Sequence, residues 1–140
     1  MRNMSFPHEN RHVTLPLMNP NSPTVVSEPR VFVVRSPGVE MCVLRAHPEG
    51  GVTCLVRMQK GARAERHGHP GGEETFVLTG KLLIDQRADA EERSQPDAVV
   101  STGEYFFAPA GETHEGYAEE DTTFLVLAAG GFLATKAAVQ

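Results

Sequence analysis

Residues Gly61 to Gly80 read GARAERHGHPGGEETFVLTG and place His67 and His69 two positions apart, with a carboxylate at Glu73 and a glycine at each end. Residues i and i+2 of an extended strand point to the same face, so the two imidazoles stand side by side and aim one way. That is the pattern of a metal-binding pair. Pro70, Gly71 and Gly72 are turn formers, and they predict that a neighbouring antiparallel strand brings Glu73 against the face of the histidines. Glu74 competes for this role, because both acids follow the pair. On a strand, Thr75 and Val77 share the face of Glu73, whereas Glu74, Phe76 and Leu78 take the other. Gly61 and Gly80 are expected at strand ends, where a turn needs positive φ.

A second stretch, Gly103 to His114, reads GEYFFAPAGETH and supplies a fourth candidate, His114, after a bend shaped by Pro109 and Gly111. A lone histidine pair in a chain with six histidines is better explained by two solvated side chains. An acid and a glycine at fixed intervals after the pair, and a further histidine on a predicted strand region, shift the balance to a metal. Imidazole and carboxylate donors together suit Zn, Fe, Mn, Ni or Cu, and no thiolate is offered to narrow the choice.

Outward from these stretches the chain reads as strands. Apolar, β-branched runs occur at 31–35, 39–45, 52–58, 75–79, 82–86, 99–100, 105–108 and 122–128, each bounded by Gly, Asp or Pro. Many short strands without a long amphipathic helical stretch predict an all-β sandwich or barrel. His47 to Gly51, HPEGG, carries a hairpin signal between two such runs. The charge-dense segment RADAEERSQPDA, Arg87 to Ala98, is expected as a solvated loop or a single helical turn between the two motifs. Five prolines lie in the first 29 residues, which cannot pair continuously in a sheet or form a helix. Residues 1–29 are therefore expected to be an irregular arm, 30–133 the barrel, and 134–140 a tail too short for an independent helix.

At 140 residues the chain has room for one core, and its net charge of −5 offers no footprint for nucleic acid or an anionic membrane. A small molecule is the expected partner. Cys42 and Cys54 lie in apolar runs without CxxC spacing, which predicts buried free thiols and a reducing, cytoplasmic setting. The N-terminus has no apolar run of signal-peptide length, so neither secretion nor membrane insertion is expected.

Set against the metal-binding cupins, the first stretch matches G(x5)HxH(x3)E(x6)G and the second matches G(x5)PxG(x2)H, with every fixed position filled. The resemblance implies a cupin barrel, a double-stranded β-helix of jelly-roll type, holding one divalent transition metal per chain. Its ligands would be His67, His69, Glu73 and His114, the interval to Gly80 selecting Glu73 over Glu74. Fe(II) is favoured, with Zn, Mn, Ni or Cu as alternatives. The cupin motif carries an asparagine four positions after its histidine, whereas this chain has Ala118 there, so one polar interior contact is missing.

More narrowly, Gly51 to Phe76, GVTCLVRMQKGARAERHGHPGGEETF, resembles the cupin-like domains of ChrR-type anti-sigma factors and small cupins related to acetylacetone dioxygenase. The likeness extends over about Val39 to Phe132. It implies a mononuclear non-haem metal dioxygenase acting on a small enolisable carbonyl compound. A non-catalytic metal or metabolite sensor is the alternative, and a relic site the third. Thr75, Val77, Tyr105 and Phe107 are the candidate substrate-pocket residues. With Val126 also inward and no arginine clamp evident, neutral or weakly acidic carbonyl compounds are favoured over phosphorylated sugars. Cupins cover their apolar outer sheet by pairing subunits, which implies a homodimer, with the arm crossing between subunits as one option. The helical zinc module of those anti-sigma factors has no counterpart in this sequence, so no sigma-factor partner is expected.

Overall fold

The computed structural model describes residues 23–27 and 29–130, so most of the proline-rich arm, with its possible crossing, and the tail lie outside the described residues. Ten strands follow in order: β1 Val33–Ser36, β2 Val39–Ala46, β3 Gly51–Met58, β4 Arg63–Gly68, β5 Glu73–Thr79, β6 Lys81–Ala88, β7 Ala98–Ser101, β8 Tyr105–Ala108, β9 Thr113–Ala118 and β10 Thr122–Ala129. They form two antiparallel sheets, one ordered β1-β2-β3-β10-β5-β8 and the other β4-β9-β6-β7. No helix occurs among the described residues, and none is long and apolar enough to cross a membrane. The all-β jelly roll is the observed fold.

Period-two alternation builds the core. In β10, Thr122, Phe124, Val126 and Ala128 point inward and are buried, and the last three share one core with Val56, Met58 and Val77 of the same sheet and Leu82, Ile84 and Val100 of the other. The expected hairpin at 46–51 joins β2 to β3. Both cysteines are buried, and neither forms a disulfide. Gly61 and Gly80 have φ of 87° and 102°, as the turns require.

Three expectations are corrected. The turn at Pro70 to Gly72 does not close a hairpin: β4 pairs with β9 and β5 with β10 and β8, so the chain passes from one sheet to the other at this corner. β9, sequence THEGYA, lies outside the apolar runs because its outward residues are polar and two of its inward ones, Gly116 and Ala118, are small. Arg87, expected in solvent, ends β6 with its side chain only 14% exposed. Beyond it the chain turns at 89–93, where the Asp89 carboxylate accepts from the backbone amides of Glu91 and Arg93, and returns through a bridge between Ala88 and Ser94 to β7.

Candidate metal centre

The corner between the sheets assembles the site. His67 of β4 stands directly opposite His114 of β9 in the smaller sheet, and Glu73 opens β5 in the larger one. One imidazole from each of two adjacent strands thus faces a carboxylate across the barrel. Glu73 is 7% exposed. Its Oε1 lies 2.8 Å from His114 Nε2 and 3.8 Å from His67 Nε2, and its Oε2 lies 3.9 Å from His69 Nε2. One donor atom each from His67, Glu73 and His114 falls within 4.8 Å of the others. Donors held about 2.1 Å from one ion stand roughly 3 Å apart at right angles and about 4.2 Å apart when opposite; the Glu73 contacts at 2.8 and 3.8 Å fall inside that span, and the outermost pair, at up to 4.8 Å, would have to draw in slightly around an ion.

Local chemistry aims the donors. His67 Nδ1 lies 2.7 Å from the Glu65 carbonyl, which accepts its proton and leaves Nε2 turned to the cluster. Gly68 separates the two histidines because nothing larger fits: an added Cβ would come 2.4 Å from the Glu112 carbonyl oxygen where β4 meets the strand before His114. His69 lies just past β4, and its backbone carbonyl accepts the amides of Gly72 and Gly111, which ties both motifs to one point. Its ring centroid is 5.7 Å from that of His67.

Electrostatics agree with a cation site. Burial pushes the Glu73 carboxyl up, but the His114 hydrogen bond and the nearby His67 charge outweigh it and hold it well below the usual carboxylate range. Burial likewise opposes charge on His67, yet Glu73, the Glu65 carbonyl and Glu115 raise its pKa overall. An anionic carboxylate is therefore buried with basic nitrogens around it. Cys54 lines the same space, and burial first, then Glu73, pushes its thiol up to about 12, so it offers no thiolate.

The centre opens on a cavity of about 490 Å³, lined by Val39, Met41, Val52, Val56, Phe124 and Val126 among others. Thr75 lines it. Val77, on the same face, is fully buried core beyond it. Tyr105 and Phe107 are not in the pocket: they pair with Phe76 and Glu74, share their outer face, and are 56% and 50% exposed. Phe106 is the half-buried neighbour instead, its ring centroid 6.4 Å from that of His114. Two arginines missed from the sequence, Arg35 and Arg66, line the cavity, together with Glu65 and Glu115. Each arginine sits where the register slips, between Val34 and Ser36 or between Ala64 and His67. A bulge turns a side chain off strict alternation, which is why counting by twos passed over both. Glu112, buried beside His114, was also missed, having only its place in the variable part of the motif as a signal.

The comparisons agree with this architecture. The family model of the ChrR cupin-like domain matches residues 30–133. DNA damage-repair/toleration protein DRT102 of Arabidopsis thaliana is 30% identical over 90 residues, which is 64% of this chain and 26% of that protein, so the chain spans about a quarter of its length. KdgF from Halomonas sp. superposes with a TM-score of 0.59 at 17% identity, over 74% of this chain and 91% of that one. A chain in the structure of Rhodobacter sphaeroides SigE in complex with the anti-sigma ChrR gives 0.55 at 20% identity, over 69% and 47%. At such identities the structures speak for the fold alone. The match of the family model across most of the chain shows that this protein belongs to the ChrR cupin-like domain family of cupins.

Proposed function

We propose that the protein is a mononuclear non-haem metal dioxygenase acting on a small enolisable carbonyl compound, with His67, His69, Glu73 and His114 as the metal ligands. The observation that carries this reading is a buried carboxylate ringed by three imidazoles at the wall of a mostly apolar cavity. Fe(II) is the favoured ion, with Zn, Mn, Ni or Cu as alternatives, and when bound it would supply a Lewis acid that holds substrate and O2 together and withdraws charge from the enolate. Cavity size admits a small organic molecule and little else. Val52, Val56, Phe124 and Val126 would exclude water from it, while Arg35 and Arg66 offer donors to a carbonyl or enolic oxygen, with Glu65 and Glu115 balancing their charge. The outer face of β5 and β8 exposes Phe76, Leu78, Tyr105 and Phe107, and a second copy of the chain is its expected cover.

Metal analysis of protein purified without a nickel column, followed by oxygen uptake with a panel of β-diketones, tests the reading. Uptake by the iron form that disappears in His69→Ala supports it. A second reading, a metal or metabolite sensor, is supported by the match to the family model of the ChrR cupin-like domain. It takes over if no panel member is consumed while a small carbonyl compound still raises the melting temperature.

A further inference from the structure

His114 is held from behind as well as in front. Its Nδ1 lies 3.1 Å from Glu112 Oε2, and Glu112 is 3% exposed. The Glu112 carboxylate is in turn gripped by Arg87, with Nε 2.9 Å from Oε2 and Nη2 3.0 Å from Oε1. Arg87 donates its remaining arm, Nη1, to the Pro96 carbonyl at 2.5 Å and lays its guanidinium 5.0 Å from the centroid of Phe106. A chain of contacts thus runs from the loop between β6 and β7, through Arg87 and Glu112, to the ring whose Nε2 reaches Glu73.

We propose that Glu112 and Arg87 are positioning residues for the metal donor His114. A carboxylate has only acceptors, so a ring whose Nδ1 donates to Glu112 keeps Nε2 for whatever lies on the cluster side: the Glu73 carboxylate in this structure, and an ion when one is bound. Arg87 forms a fork that matches the carboxylate with two parallel bonds, fixing the acceptor and hence the plane of the imidazole. His67 is oriented by the backbone carbonyl of Glu65, which no substitution removes, whereas His114 depends on two side chains. The inference rests on His114 as a metal donor and on no particular reaction.

Cobalt(II) titration of the full chain, read by its visible d–d absorption, tests this without any turnover. Glu112→Ala should weaken cobalt binding roughly 10- to 100-fold and alter the band, the usual cost of losing such an outer partner. Glu112→Gln, whose amide oxygen still accepts from Nδ1, should recover most of the affinity. In a His114→Ala background the Glu112 change should have no further effect, since nothing remains to be positioned. Wild-type affinity with an unchanged spectrum in Glu112→Ala, or an additive loss in the double variant, overturns the proposal. Should Glu112→Ala not fold, Arg87→Lys carries the test: it breaks the fork and should weaken cobalt binding at least about threefold, and an unchanged affinity overturns the role. A wild-type protein that takes up no cobalt refutes the metal reading itself.

Discussion

Glu73 and Glu74 are neighbours of one residue type on one strand, yet they belong to different parts of the molecule. Glu73 is buried between His67, His69 and His114, whereas Glu74 is exposed and accepts a hydrogen bond from the Tyr105 hydroxyl at 2.8 Å. The whole strand divides in this way, with Glu73, Thr75 and Val77 buried and Glu74, Phe76 and Leu78 exposed. Chemistry is thus allotted by the face of the pleat: the inner face serves the site, and the outer face carries the apolar surface for which a dimer is proposed.

The largest difference between the two faces should appear in metal content. Glu73→Ala is expected to weaken metal binding by more than roughly 100-fold, beyond what an outer partner contributes, while Glu74→Ala stays within about twofold. Elemental analysis after dialysis checks both, and equal losses would break the distinction. Next comes assembly. Replacing Phe76 and Phe107 with Glu should turn a dimer into a monomer in light scattering at micromolar concentration without changing metal content, because the outer face touches no donor. A wild-type monomer would remove the association half of the comparison.

A subtler contrast separates the metal-free and metal-bound forms. The folded pKa of His67 is raised above its unfolded value, so the stability it contributes is fully present below about pH 6.5 and is lost as pH rises through the folded pKa. Glu73 is shifted the other way, and its contribution is fully present above the ordinary carboxylate range and is lost progressively as pH falls below it. Metal-free protein should therefore melt at a higher temperature near pH 6 than near pH 8. Metal needs neutral imidazoles, so the rise in melting temperature on adding metal should grow over the same interval. His67→Gln should flatten the metal-free slope, and a slope that survives assigns it elsewhere. The smallest effect belongs to the outer pair: Tyr105→Phe should move the melting temperature by about 2 °C or less and leave metal binding untouched.

What was legible in the sequence is what short-range geometry controls. Alternation along an extended strand put Glu73 with Thr75 and Val77 and turned Glu74, Phe76 and Leu78 away, whatever the strand paired with. Positive φ at Gly61 and Gly80 and the hairpin at 46–51 follow from residue type and neighbours alone. Pairing partners are different, since they depend on contacts between distant residues. Only the tertiary structure decided that β4 lies beside β9, so that Glu73 approaches the histidines across the barrel rather than along a ladder. The apolar run at 105–108 reads equally well facing in or out, and its register against β5 sent Tyr105 and Phe107 to the surface. Arg35 and Arg66 reach the cavity through register slips that no periodicity encodes. Arg87 and Glu112, 25 positions apart, meet because β6 and β9 are neighbours in the smaller sheet. A sequence specifies which side chains share a face within a few residues, but which faces meet is set by the packing of the whole chain.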